Sequence, residues 1–489
     1  MSKYDLIDLT INEKKLENAI QRAKEKGFII PTYAQMKNPD LIPDEIKEEL
    51  KTVGLTDLNP LNLFRINWHN EPKVDGGLFG KGNYFVLPKE ITGVDAKIVV
   101  LSGKYFPTGS HKVGATVSCL APRLVTGQFD PTTTKAVWPS TGNYCRGGAY
   151  NSHLLACESI AILPEGMSRE RFEWLQTVAG RTIATPGTES NVKEIFDKCW
   201  ELRNSGEDLM IFNQFDEFGN YLWHYDITGA FIEDIVNEVG GKFKAYVSST
   251  GSGGTLAAGD YLKTLWPTSK IVAAEALQCP TIYSNGFGEH RIEGIGDKHI
   301  PWIHNVKNTD AVAAIDDEIP MQMIRLFNEP EGKKLLKAQG VSDEIIAKLQ
   351  WVGISGAGNI ASAIKTAKYF EMKEDDVIVT VLTDSMDLYE SRLVEMTEIH
   401  GELTELEAYR VYHQYLQGIN TEFIKELNYR ERKAVHNLKY YTWVEQQGKS
   451  YEEICAQWDE EDYWTNIPKK LKDLDRLITD FNNKVKNLK

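Results

Sequence analysis

The sequence predicts an α/β fold in which parallel sheet is covered by helices on both faces, framed by a helical segment at each end. Three observations carry this. From about residue 58 to 392, short β-rich runs each lead through a loop into a stretch with helical apolar spacing, the alternation that parallel sheets require. Both ends of the chain are charged and read as helix. The 489 residues, 42% of them hydrophobic, suffice for a sizeable core and two or three domains.

The elements follow in order. Residues 1–57 form a helical N-terminal extension: "NEKKLENAIQRAKEKG" offers Asn12 as an N-cap and Gly27 as a stop, and "PDEIKEELKTVG" repeats the design. It reads as an appendage. The strand runs are "AKIVVLSG", "TKAVWPS", "SIAILPEG", "RTIATPG", "LMIFNQ", "KAYVSST", "KIVAAEA" and "VIVTVLTD". Amphipathic stretches such as "SRERFEWLQTVAG" and "TESNVKEIFDKCWELRNSG" lie between them. Beyond Arg392 the strands stop, and residues 393–489, rich in good helix formers and in Tyr and Trp, read as a helical C-terminal extension.

Composition excludes several functions. A formal charge of −15 without a long Lys/Arg block argues against a nucleic-acid surface, which needs a concentrated positive field. No apolar run has the length of a signal peptide or a membrane span, so the expected address is cytoplasmic. Six cysteines form no C-x-x-C pair, and ten histidines show no H-x-x-x-H spacing, so reduced thiols and no metal site are expected. Small molecules or other proteins are the expected partners.

In parallel α/β folds ligands collect where strands end and helices begin, and four such junctions stand out. In "FPTGSHKVGAT", Lys112 follows a tight turn, and Val113, Val117, Leu120 and Leu124 give a helix whose first turn holds it. A lone lysine is ordinarily a surface group. At a helix N-terminus, however, the dipole opposes the ammonium form, and desolvation would favour the neutral amine that a Schiff-base lysine requires. In "WPSTGNYCRGGAY", Ser140, Thr141, Gly142 and Asn143 suit a carboxylate or ring oxygen, although a capping loop looks similar. Cys145 beside them reads as a bystander thiol. In "VSSTGSGGTLAAG", Gly251, Ser252, Gly253, Gly254 and Thr255 make a phosphate cradle that lacks the P-loop ending. "VIVTVLTDSMDLY" presents Thr383, Asp384 and Ser385 at a strand end. The Rossmann-like spacing in "GISGAGNIASA" follows a helix-like stretch rather than a strand, so close helix packing is the expected job of its glycines.

The lysine, the S-T-G-N loop, the glycine-rich phosphate loop and the late serine, in this order, resemble pyridoxal-phosphate enzymes of fold type II, the tryptophan-synthase β type. Within that group the sequence is most similar to the cysteine synthase and cystathionine β-synthase family. "LPEGMSRERF", "QFDEFGNYLWHYDITGAF" and "HRIEGIG" are further matches, and the resemblance covers residues 58–392. It implies two three-layer α/β/α domains, each containing parallel sheet, interleaved in that core, and a homodimer. It implies that Lys112 holds the cofactor as a Schiff base and moves the α-proton, and that Gly251, Ser252, Gly253, Gly254 and Thr255 bind its phosphate. Asn143 would contact the ring 3′-oxygen and Ser385 the pyridine nitrogen, while Ser140, Thr141 and Gln214 bind the substrate carboxylate. A hydroxyl at the ring nitrogen makes a moderate electron sink, which implies β-replacement or β-elimination on a β-substituted α-amino acid through an aminoacrylate. A serine/threonine dehydratase-like or threonine synthase-like enzyme and a cofactor-binding regulatory protein without turnover are the alternatives. Val113-Gly114 after the lysine, where the family has Asp-Arg, and the "SHK" form leave the substrate open.

Overall fold

The computed structural model describes residue 4, residues 6–296 and residues 298–487. Eleven strands are present among them: β1 (Tyr84–Leu87), β2 (Lys97–Ser102), β3 (Lys135–Pro139), β4 (Ser159–Pro164), β5 (Arg181–Thr185), β6 (Leu209–Ile211), β7 (Lys242–Ser249), β8 (Lys270–Ala276), β9 (Ala311–Ile315), β10 (Asp376–Leu382) and β11 (Ile424–Glu426). They form a seven-stranded sheet in the order β1-β2-β10-β7-β8-β9-β11 and a four-stranded sheet in the order β5-β4-β3-β6. The small sheet is parallel throughout. The large one is parallel in its centre and antiparallel at both edges, where β1 pairs with β2 and β11 with β9.

All eight strand runs read from the sequence are strands, and β1, β9 and β11 are additional. β9, "AVAAI", is built mostly of alanine, a weak strand former, and β11 has three residues with one apolar side chain. Each is held in the sheet by pairing that no local pattern announces.

Two sequence expectations are corrected. The first 57 residues are no appendage: the helix Glu13–Lys26, capped by Asn12 and ended by Gly27 in a left-handed conformation, buries Leu16, Ala19, Ile20 and Ala23 in the largest apolar cluster. Tyr33 lies fully within the core and its hydroxyl bonds Ser118. Strands also do not stop at Arg392, because β11 completes the large sheet from within the tail. The tail then returns to the N-terminal segment: Tyr33 N donates to Asp475 Oδ1 at 2.6 Å and Ile30 N to Asn482 Oδ1 at 3.0 Å, both from the helix Leu471–Asn487. No helix among the described residues is long and apolar enough to cross a membrane.

The "GISGAGNIASA" stretch forms the helix Ile354–Tyr369, preceded by a 3-10 turn rather than a strand. A Cβ on Gly356 would lie 3.0 Å from Leu382 Cδ2, so this glycine lets the helix rest on β10, as expected of packing.

Candidate functional site

Lys112 opens the helix Lys112–Val125, whose apolar residues Val113, Val117, Leu120 and Leu124 are all buried. The lysine itself is 8% exposed, and its Nζ donates to Ser252 Oγ at 3.2 Å. Ser252 is in the loop that joins β7 to the helix Ala257–Leu265, so two of the four junctions meet at one hydrogen bond. Asn220 Nδ2 donates to the same hydroxyl at 3.0 Å and to the Gln214 carbonyl at 2.9 Å, which draws the third element, the loop after β6, to the lysine. Gly253 has a φ of +75°, open to glycine at no steric cost, and a Cβ on Gly254 would strike the Asn220 amide.

The end of β10 reaches the same place from the large sheet. Ser110, in the turn before Lys112, bridges Asp384, and His111 N donates to the Thr383 carbonyl at 3.3 Å. His111 Nδ1 is also 3.3 Å from that carbonyl, which can only accept, so this nitrogen carries the proton. Its Nε2 then accepts from Thr255 Oγ1, 3.2 Å away. Burial first and Lys112 next push His111 down to about 3, consistent with a neutral ring wedged between the lysine and the glycine-rich loop.

The S-T-G-N loop follows β3 and leads into the helix Asn143–Leu154. Ser140 Oγ accepts from Gly142 N at 3.0 Å. Asn143 Nδ2 donates to Asp384 Oδ2 at 2.6 Å. Ser140, Thr141, Asn143, Gln214 and Ser385 are all buried. Cys145 gives its thiol to the Gly142 carbonyl at 3.0 Å, and burial pushes it up to about 12, which leaves it inert.

A buried charge network is the part that sequence reasoning missed. Arg171, from the first turn of the helix Arg169–Val178 beside the small sheet, has no exposed surface. Its Nη1 lies 2.9 Å from Glu293 Oε2 and donates to the Thr141 carbonyl at 3.2 Å. Its Nη2 donates to the Tyr389 hydroxyl at 2.6 Å, which in turn donates to Asp384 Oδ2 at 2.7 Å. Arg392 Nε closes the other side of Glu293 at 2.7 Å. Burial pushes the Asp384 carboxyl up, while Arg171, Tyr389 and Asn143 pull it back. Arg171 and Glu293 sit inside two recognisable stretches, "SRERF" and "HRIEG", but charged residues in such strings read as surface until the fold brings them together.

Residues 103–384 match the family model described as pyridoxal-phosphate dependent enzyme, more than half of the chain. The chain belongs to that family. Among curated relatives of this pyridoxal-phosphate-dependent enzyme, a probable cysteine synthase of Bacillus subtilis (strain 168) is 28% identical over 297 residues, covering 60% of this chain and 89% of the relative. A cysteine synthase of Staphylococcus aureus is 29% identical over 287 residues, 58% of this chain and 84% of the relative. The crystal structure of an O-acetylserine-dependent cystathionine β-synthase from Helicobacter pylori superimposes with a TM-score of 0.53 at 25% identity, covering 64% of this chain and 95% of that one. The fold is that of the type II pyridoxal-phosphate enzymes, as the sequence predicts.

The residues present fit the cofactor. Ser385 Oγ and Asn143 Oδ1 are buried without a hydrogen-bond partner, an expense of about 1–3 kcal/mol each unless a polar ring meets them. An amine, hydroxyls and a glycine-rich turn at a helix start are also the donor set that an aldehyde bearing a phosphate calls for.

Proposed function

We propose that this enzyme replaces or eliminates a group on the β-carbon of an α-amino acid, with Lys112 as the cofactor-bearing base. The observation that carries the reading is the Lys112 Nζ to Ser252 Oγ contact, which sets the amine against the glycine-rich loop beneath the carboxyl ends of both sheets. Gly251, Ser252, Gly253, Gly254 and Thr255 hold the phosphate by backbone N–H groups and hydroxyls. Asn143 and Ser385 meet the ring, and Ser140, Thr141 and Gln214 take the substrate carboxylate. When bound, pyridoxal phosphate supplies an electron sink for charge developing at the α-carbon. Ser385 offers the ring nitrogen a hydroxyl rather than a charge, which favours loss of a β-substituent. Lys112 takes the proton from the α-carbon and, in replacement, returns it. The buried walls around it exclude water.

The curated relatives' name, cysteine synthase, supports a sulfur nucleophile, and the O-acetylserine dependence of the Helicobacter pylori neighbour supports an acylated serine as donor. No disulfide joins the cysteines among the described residues, which suits a cytoplasmic address, and a homodimer suits the fold. The test is product analysis with O-acetyl-L-serine and sulfide: cysteine marks replacement, a 2-oxo acid with ammonia marks elimination. Neither product from any β-substituted amino acid would sink the proposal.

A further inference from the structure

β3 and β4 are parallel neighbours, so the segments that follow them, residues 140–143 and 166–171, lie along one carboxyl edge. The chain beyond β10 grips the second segment. Ser391 N and Oγ donate to Glu170 Oε1 and Oε2 at 2.9 and 2.8 Å, and Arg392 Nη2 donates to the Gly166 carbonyl at 2.8 Å. Held in this way, Arg171 runs its side chain against the S-T-G-N loop. A Cβ on Gly142, whose φ is +148°, would come within 2.5 Å of Arg171 Nη1 and 2.9 Å of its Cδ and Cζ, so glycine lets the loop close over the guanidinium.

Arg171 Nη1 donates to the Thr141 carbonyl at 3.2 Å, and that carbonyl shares a peptide with the Gly142 N–H. In a trans peptide the two groups point opposite ways. Drawing the carbonyl to the guanidinium therefore turns the N–H to the other side, where Ser140 Oγ accepts it at 3.0 Å. A hydroxyl has one proton to give and two lone pairs. One lone pair of Ser140 is taken by Gly142, and no acceptor among the described residues takes its proton, so this buried hydroxyl is preset as a donor. A carboxylate accepts only, and a donor is what it requires.

We infer that Arg171 is a positioning residue for the first substrate: by fixing the peptide between Thr141 and Gly142, it sets the Ser140 hydroxyl to donate to the α-carboxylate. The inference rests on the proposed role of Ser140 in binding that carboxylate, and Arg171 acts through the loop alone. The same guanidinium governs the loop's other end, because its Nη2 bonds the Tyr389 hydroxyl, Tyr389 bonds Asp384, and Asp384 accepts from Asn143. One buried charge thus fixes the loop where it meets the substrate and where it meets the ring.

The test is spectral titration of the holoenzyme with L-serine and with its neutral amide, L-serinamide, reading the bound cofactor's absorption. The two ligands differ only at the group that Ser140 meets. Arg171→Lys keeps the buried charge but loses the fork that reaches Thr141 and Tyr389 together. It is expected to weaken binding of the acid about tenfold, as loss of one hydrogen bond to a charged group does, and to leave the amide unchanged. Ser140→Ala gives the same pattern, and the double variant binds the acid no more weakly than Ser140→Ala, because both changes remove one interaction. Gly142→Ala, whose Cβ displaces the same guanidinium, carries the same expectation if Arg171→Lys does not fold. Acid binding untouched by these variants, equal losses for acid and amide, or a further loss in the double variant overturns the inference. A holoenzyme spectrum that no β-substituted amino acid alters overturns the reaction reading; an altered spectrum without a carboxylate-dependent effect of Arg171 overturns its positioning role alone.

Discussion

Arg171 keeps its charge in a place without water because three groups share it. Burial works against the guanidinium, but Tyr389, Glu293 and Asp384 hold it protonated above its ordinary value. Breaking a buried pair strands the remaining charge, so Arg171→Met should cost about 3–5 kcal/mol of folding stability, read by urea unfolding. A cost under about 1 kcal/mol would contradict this account. Single residues also separate what the sequence discloses from what it hides. Lys112, Asn143, Gly251 to Thr255 and Ser385 are legible as candidates because each lies where a strand run gives way to the next element, and the chain pattern alone marks such places. Arg171 and Glu293 are not, since the carboxylates that hold Arg171 lie 122 positions away at Glu293 and 213 away at Asp384.

At the scale of elements, the C-terminal segment departs most from its sequence pattern. Good helix formers predict helix there, and most of it is helical, but β11 is placed by β9 and not by propensity. The helix Tyr429–Asn437 docks through His436, whose Nε2 pairs with the Ile454 carbonyl at 3.0 Å. Burial first, then Lys439, push His436 down to about 3, against about 6.5 in an unfolded chain. A depressed value contributes stability that is fully present above pH 6.5 and is lost as pH falls toward 3. His436→Gln keeps the N–H donor and cannot titrate. The stability gap between wild type and this variant should therefore close, or turn in the variant's favour, by about 1.4 kcal/mol per pH unit below 6.5. Urea titrations at pH 7, 6 and 5 measure it, and a gap that stays constant would refute the burial argument.

At the scale of the molecule, the two sheets present their carboxyl ends to one region, and side chains from both converge on Asp384: Asn143 and Arg171 from the small-sheet side, Tyr389 from the large. Alternating strand and helix runs make this architecture legible, whereas the wrapping of both chain ends into it is not, because burial of Leu16 or Trp443 depends on surfaces distant in sequence. The proposed homodimer predicts sedimentation at about twice the mass of the 55.3 kDa chain, and a monomer at micromolar concentration would contradict it. The central claim is that Lys112 carries the cofactor. Holoenzyme is reduced with borohydride, digested, and searched by mass spectrometry for the lysine that holds the pyridoxyl group. The account predicts the label on Lys112 and none on Lys112→Ala. A label on another lysine, or no covalent label on the wild type, would contradict it.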